Sequence, residues 1–350
     1  MSARVVGRAK GPLTGACEVP GDKSIAHRAL ILGTLARGTL TVRGLPDGQD
    51  VASTRRCLEA LGGRFDGGPA RLLVRGLGGE GLRAPAAPLD CGNSGTTMRL
   101  LMGVLSGQDF EATLTGDASL SRRPMERVAE PLRRMGARID TTDGHAPVRV
   151  RGRRPLSGTR YRLPVGSAQV KTAVLLAGLF AEGETAVEDP FGTRDHTERM
   201  LDFLGGDVAD AGGLSVVRAR ALESGKALTV PGDPSSAAFL AAAAVLVPGS
   251  RLTVRRVLLN PTRLGFFEAL RGMGAPVAWE RGGVHGREDV GDVTAAHGPL
   301  KPLRLEAARV PALVDEVPLL AVLCAFADGE SRLEGLGELR HKESDRLEGT

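Results

Sequence analysis

The chain has 350 residues, 42% hydrophobic and 25% charged, and its 46 Lys and Arg against 41 Asp and Glu leave a formal charge of +5. This is the composition of a folded globular protein of about two domains, and it excludes a disordered or collagen-like chain. One Trp and one Tyr are too few for base stacking, four scattered cysteines give no CxxC zinc or disulfide framework, and no apolar run approaches the roughly 18 residues of a membrane span. The modest positive surplus instead suits anionic small molecules. Nucleic acid and membrane are not expected partners, and a monomer is the expected state. The start, MSARVVGRAKGPL, lacks a secretory apolar core, so the expected compartment is the cytoplasm.

The first predicted helix lies in VPGDKSIAHRALILG, residues 19–33. A phosphate-binding P-loop reads Gly, four residues, Gly-Lys, then Ser or Thr. Here Asp22 separates Gly21 from Lys23 and Gly15 is at the wrong distance, so that signature fails. A glycine turn, a lysine and a serine opening an apolar helix still suit an anion. The same design recurs from Ser94, Ser167, Ser235 and Asp315, about every seventy residues. Each run opens with Ser or Asp, continues apolar and stops at Gly, as capped helices do. Short alternating strands follow: TLTVRG, EATLTG, ETAVED, RLTVRR and SRLEGL. In four units an amphipathic helix then ends in a near-identical corner, LEALGG, LRRMGA, LDFLGG or LRGMGA. Strand material such as RLLVRG and APVRVRG comes next, with a further strand linking one unit to the following one.

VPGDKSIAHRALILG and VPGDPSSAAFLAAAA lie about three units apart. Two domains of three units each are therefore expected, with crossovers near Gly21 and Gly232. Residues 21–231 would form a domain of three complete units, and residues 1–20 plus 232–350 a discontinuous one. The fifth unit runs into LRHKESDRLEGT without a closing corner, and no sixth unit follows. Two sets of three would need roughly 70–90 more residues. A shortened last domain is the expectation, and a five-unit protein with a ragged end is the alternative.

Helix starts gather at equivalent points of the units, where free N–H groups and dipoles favour anions. Lys23, Ser24 and Arg28 stand at the first start, and Asn93, Gly95, Thr96 and Arg99 at the second. Ser119, Arg122 and Arg123 precede the next helix, and an arginine fork suits a carboxylate or phosphate. Ser167, Gln169 and Lys171 open the third apolar helix, and Arg194 and His196 follow in GTRDHTERM. Two carboxylates stand out: Asp315 at the start of the fifth apolar run, with Glu316 beside it, and Glu343 among Arg340, Lys342 and Arg346. Such groups are candidate acids or bases, and the alternatives are an N-cap and an exposed ion-pair network.

PGDKSIAHRALI, GNSGTTMRLL, GDASLSRRPM, GSAQVKTA, TRDHTERM, VDEVPLLAV and RHKESDRL, in this order, resemble the 5-enolpyruvylshikimate-3-phosphate synthase family over essentially the whole chain. The resemblance implies an α/β protein of α+β type: a two-domain inside-out barrel of repeated βαβαββ units, three per domain, the last incomplete here. It implies that the 5-hydroxyl of shikimate 3-phosphate adds to C2 of phosphoenolpyruvate, C3 takes a proton, and phosphate leaves, with no metal or organic cofactor. Asp315 then resembles the base, and Glu343 with Lys23 the proton donor and acceptor. Lys23, Ser24, Arg28, Ser167, Gln169, Asp315 and Lys342 resemble ligands of shikimate 3-phosphate. Lys23, Gly95, Arg123, Gln169 and Arg346 resemble ligands of phosphoenolpyruvate, with Asn93, Ala168 and Arg194 as further candidates. Gly95 matches the small position at which family members accept glyphosate, so inhibition by glyphosate is expected.

Two departures stand beside this match. Ser167-Ala168 replaces the usual two serines, and the family's late Asp-His-Arg stretch and lysine have no counterpart. Two other identities compete. One is the UDP-N-acetylglucosamine 1-carboxyvinyltransferase, whose loop cysteine and first-motif Asn are missing here. The other is an anion-binding remnant that binds without turnover.

Overall fold

The computed structural model describes Gly7 and residues 10–350. Residues 1–6, 8 and 9, at the start of the expected discontinuous domain, lie outside the described residues. Ten helices are present among the described residues: α1 Lys23–Leu35, α2 Gln49–Ala60, α3 Gly95–Ser106, α4 Glu126–Arg134, α5 Ala168–Gly178, α6 His196–Phe203, α7 Pro234–Leu246, α8 Gly265–Gly272, α9 Val317–Cys324 and α10 Arg346–Gly349. None is long and apolar enough to cross a membrane.

Four sheets share one topology. The first runs Ala227–Thr229, Thr39–Arg43, Arg71–Arg75, Arg64–Gly68, its first pairing parallel and the other two antiparallel. Sheets around Glu111–Thr115 and Glu184–Glu188 repeat this pattern. So does the sheet ordered Thr14–Glu18, Arg251–Leu258, Glu288–Ala296, Val277–His285. Alternation aims one face of each sheet inward: Leu40 and Val42 are buried while Arg43 is exposed. Outer helices α2, α4, α6 and α8 reach their sheets through Gly62, Gly136, Gly205 and Gly274, whose φ values are +98, +104, +77 and +84. Only glycine enters that left-handed region without strain, which explains the repeated corner.

Helices α1, α3 and α5 are apolar nearly all round and lie in the interior of one apolar cluster, from Ile25 to Leu258. A second cluster runs from Ala237 to Leu339. There α7 and the turn after α9 leave Phe239 and Phe326 each 65% exposed, whereas α1, α3 and α5 expose no large apolar side chain. The chain passes between the clusters at an antiparallel bridge of Gly21 with Gly232. Asp22 N–H donates to Pro231 O at 2.7 Å, and Asp233 N–H to Pro20 O at 2.9 Å.

The helix starts differ in detail from the expected ones. Asp22, not Ser24, caps α1 by accepting from Ile25 N–H at 2.8 Å. Asp233, not Ser235, caps α7 by accepting from Ser235 N–H at 2.8 Å. The fifth apolar run becomes helical only at Val317, so Asp315 sits in the preceding turn and its side chain caps nothing. Ser94 and Ser167 do cap α3 and α5.

Candidate active site

The N-termini of α1, α3 and α5 open into one cleft of about 640 Å³. Lys23 and Ser24, Gly95 and Thr96, and Ala168 and Gln169 bring their first turns to its wall. Three such ends facing one space make it favourable for anions before side chains are counted. Arg28, Asn93, Arg123, Ser167 and Arg194 line the same side, and Asp315, Lys342, Glu343 and Arg346 line the other.

Their side chains form a connected network. Lys23 Nζ reaches Asp50 Oδ2 at 3.0 Å; with the lysine side chain 55% exposed, this pair is weak and free to exchange for a ligand. Arg28 donates to Thr197 Oγ1 and Thr172 Oγ1, both at 2.8 Å, and to Ser24 O at 3.0 Å. Two of its five N–H groups remain for a ligand. Gln169 accepts from Arg99 at 2.5 Å and donates to Thr96 Oγ1 at 2.9 Å. Arg123 donates to Asn93 O at 3.1 Å and Asn93 Oδ1 at 2.5 Å. Ser167 Oγ accepts its capping bond from Val170 N–H and keeps its own proton to donate. Next to it Ala168 offers only a methyl group.

Asp315 is held by three cations. Arg194 donates to Oδ2 at 2.6 Å, while Arg346 at 3.1 Å and Lys342 at 3.5 Å donate to Oδ1. Burial alone would raise its pKa, but Lys342 and Arg194 overcome this and hold it well below the usual carboxylate range. The other arm of Arg346 donates to Glu343 Oε1 at 2.5 Å. Burial raises Glu343 too, but its own backbone N–H, Arg346 and Arg123 bring it below the ordinary value. One guanidinium therefore joins the two carboxylates.

Positive charge dominates. Lys23, Arg28, Arg99, Arg123, Arg127, Arg194, Lys342 and Arg346 line the cleft against Asp50, Asp315, Glu338 and Glu343: eight cations to four carboxylates. Burial, then Arg127 and Arg123, push Arg99 down to about 9. The Nε atoms of Arg99, Arg123 and Arg127 are buried without an acceptor. Unpaired buried donors are costly, and they add to the uncompensated positive character of this wall.

Other sequence candidates lie elsewhere. His196 is fully buried and its Nδ1 lies 2.8 Å from Glu288 Oε1, outside the cleft lining. With Asp195 these residues place ligand atoms within 4.8 Å of one another. Asn260, which donates to Asp195 and Glu288 at 2.6 and 2.9 Å, and Arg199 already serve their oxygens. Lys171 points behind α5, and Arg122 is exposed beside Arg123. Arg127, Glu338 and Asp50 had no sequence signal as site residues. Arg127 and Glu338 meet at 3.0 Å across the cleft, from α4 and the segment Gly337–His341, and only the fold brings them together.

Comparison with known proteins gives the family. Residues 8–350 match the model of EPSP synthase (3-phosphoshikimate 1-carboxyvinyltransferase). The 3-phosphoshikimate 1-carboxyvinyltransferase of Acidithiobacillus ferrooxidans is 50% identical over 336 residues, 96% of this chain and 77% of that protein. The EPSP synthase structure from Acinetobacter baumannii superposes with a TM-score of 0.86 at 44% identity, over 97% of this chain and 77% of that one. The enolpyruvyl transferase NikO of Streptomyces tendae, at 22% identity and TM-score 0.71 over 92% of this chain and 76% of its own, shares the fold. The mixed α/β architecture is thus that of the inside-out two-domain enolpyruvyl transferases, and the chain belongs to the EPSP synthase family.

Proposed function

We propose that the chain is a 3-phosphoshikimate 1-carboxyvinyltransferase of the shikimate pathway to chorismate and aromatic amino acids, and that its chemistry runs in the cleft described above. The observation that carries the assignment of the site is the surplus of cations around two carboxylates that share Arg346. Shikimate 3-phosphate and phosphoenolpyruvate are both polyanions and meet that surplus. Shikimate 3-phosphate binds Ser24, Arg28, Ser167, Gln169 and Lys342, and phosphoenolpyruvate binds Lys23, Arg123, Arg346 and the Gly95 backbone. Residues 21–231 and residues 232–350 with the segment before residue 21 act as the two domains that supply the opposite walls. The protein works as a cytoplasmic monomer on small molecules rather than nucleic acid.

Asp315 takes the proton of the 5-hydroxyl as its oxygen bonds to C2 of phosphoenolpyruvate. Glu343 takes up a proton from solvent as the anions bind and gives it to C3 through the C2–C3 π electrons, with Lys23 lining the same cleft. The C2–O bond to phosphate then breaks, C3 returns a proton to Glu343, and phosphate leaves with the proton held by Asp315. A carboxylate with a strongly depressed pKa is a weak base. Arrival of the anions draws Arg346 and Lys342 away from Asp315 and Glu343, and both become better proton carriers as those charges move. Titration of the folded chain with shikimate 3-phosphate, then phosphoenolpyruvate, tests the site. Asp315→Asn is expected to keep shikimate 3-phosphate affinity within about fivefold and to lower kcat about 10²–10⁴-fold, the usual contribution of one acid or base. A folded parent chain that binds neither substrate would overturn the assignment.

A further inference from the structure

Lys171 is a buried cation that the chemistry above leaves unused. It is 3% exposed and does not line the cleft, although α5 carries Ser167 and Gln169 immediately before it. Its Nζ lies 2.9 Å from Glu198 Oε1 in α6 and 3.2 Å from Asp189 Oδ2, and donates to Thr193 O at 3.3 Å. Asp189 in turn organises the loop that follows it. Its carboxylate accepts from Phe191 N–H at 3.0 Å, Thr193 N–H at 2.8 Å and Thr193 Oγ1 at 2.6 Å. The next residue, Arg194, reaches across the cleft to Asp315.

We propose that Lys171 is a positioning residue, which fixes the loop from Asp189 to Arg194 against α5 and so places Arg194 relative to Ser167, Gln169 and Asp315. This rests on the shikimate 3-phosphate reading of the cleft only for its effect on binding. Burial opposes the charge on Lys171, but Glu198 and Asp189 hold its pKa above the ordinary value, so the ammonium is kept. The bonds within the loop shape it, and Asp189 N–H to Gly213 O at 2.6 Å holds its start, but Phe191 at its tip is 37% exposed and the tie to α5 runs through Lys171. A second tie, Thr172 Oγ1 to Thr197 Oγ1 at 2.6 Å, joins α5 to α6 but does not reach the loop. Removing Lys171 therefore unties the loop from α5 while leaving the helices packed.

Hydrogen–deuterium exchange on the full chain tests this without any ligand. In Lys171→Met, amides of residues 189–194 should exchange at least tenfold faster, while α1 and α3 keep their protection. Asp189→Asn, which leaves the Lys171–Glu198 pair in place, should loosen the same loop and serves if Lys171→Met unfolds. Calorimetry should then show shikimate 3-phosphate affinity about tenfold weaker in the folded variant, a change that a purely structural lysine would not produce. Unchanged loop exchange in the folded variants overturns the proposal, as does parental affinity in spite of a loosened loop. A parent chain that fails to bind shikimate 3-phosphate overturns the reading of the cleft instead, and the exchange result still decides the role of Lys171.

Discussion

Arg263 offers a stringent test of how the two halves are joined. Its side chain is 2% exposed, and it donates to Asp22 Oδ2 at 2.6 Å, Asp233 Oδ1 at 3.0 Å and Ser235 Oγ at 3.0 Å. It thus ties the N-caps of α1 and α7, one on each side of the crossover. Burial would raise the pKa of Asp22, but Arg263 leads the opposing effects and brings it to about 2. Arg263→Met leaves a fully buried carboxylate without its cation. Breaking such a pair costs about 3–5 kcal/mol, against total stabilities of about 5–15 kcal/mol. The cap on Ile25 survives, so its roughly 1 kcal/mol is not part of the loss. The folded pKa of Asp22 lies below its unfolded value of 3.8, so its ion pair stabilises above that value and is lost as pH falls toward about 2. Urea unfolding followed by Trp279 fluorescence, in the same half as Arg263, reads the effect. Asp22→Asn/Arg263→Met removes both charges and keeps a capping side chain, so it should lose clearly less than the sum of the single variants. A loss below about 1 kcal/mol for Arg263→Met, or full additivity, would refute a coupled buried pair.

Two further outcomes follow from the site. Glu316 is 5% exposed and its pKa is raised by burial, against the opposing Arg263. A carboxyl whose folded pKa exceeds its unfolded value destabilises increasingly as pH rises from the unfolded value of 4.5 to the folded one, so Glu316→Gln should gain on the parent as pH rises from there. A stability difference independent of pH would count against that. A methyl group at Gly95 would lie 3.3 Å from Arg123 Nη1 and 3.5 Å from Arg99 Nη1. Crowding there should weaken glyphosate inhibition by about tenfold or more while shikimate 3-phosphate binding moves less than about threefold. Equal losses for both ligands would show that Gly95 does not belong to the phosphoenolpyruvate half.

The repeat was legible because its punctuation is local. Ser94 and Ser167 cap helices, and four glycine corners need a left-handed residue, whatever the rest of the chain does. The same local logic misplaced the caps at Ser24 and Ser235. Asp22 and Asp233 win there because the crossover bridge already extends the backbone before them. Asp315 was visible as an acid opening an apolar run, but its partner Arg194 comes from a distant loop that no spacing rule connects to it. Arg127 with Glu338 and Cys57 with Asp90 are contacts of the same kind: Cys57 Sγ donates to Asp90 O at 3.4 Å although the two lie on separate repeat units. Lys171 and His196 looked like ligands because they sit next to candidate ligands in sequence. Helical rotation turned Lys171 to the rear of α5, and burial gave both of them acidic partners.

The parallel pairing of Thr14–Glu18 with Arg251–Leu258 sets a schedule for the newborn chain. Thr14 meets Arg251, some 237 residues later. At about 5–20 residues per second, the strand Thr14–Glu18 waits roughly 12–50 s for its neighbour to be made. All three four-stranded sheets formed by residues 39–229 can close within that interval. The inserted half is therefore finished while its host is still an unpaired strand, and the bridge at Gly21 and Gly232 is the point where the late half docks onto the early one.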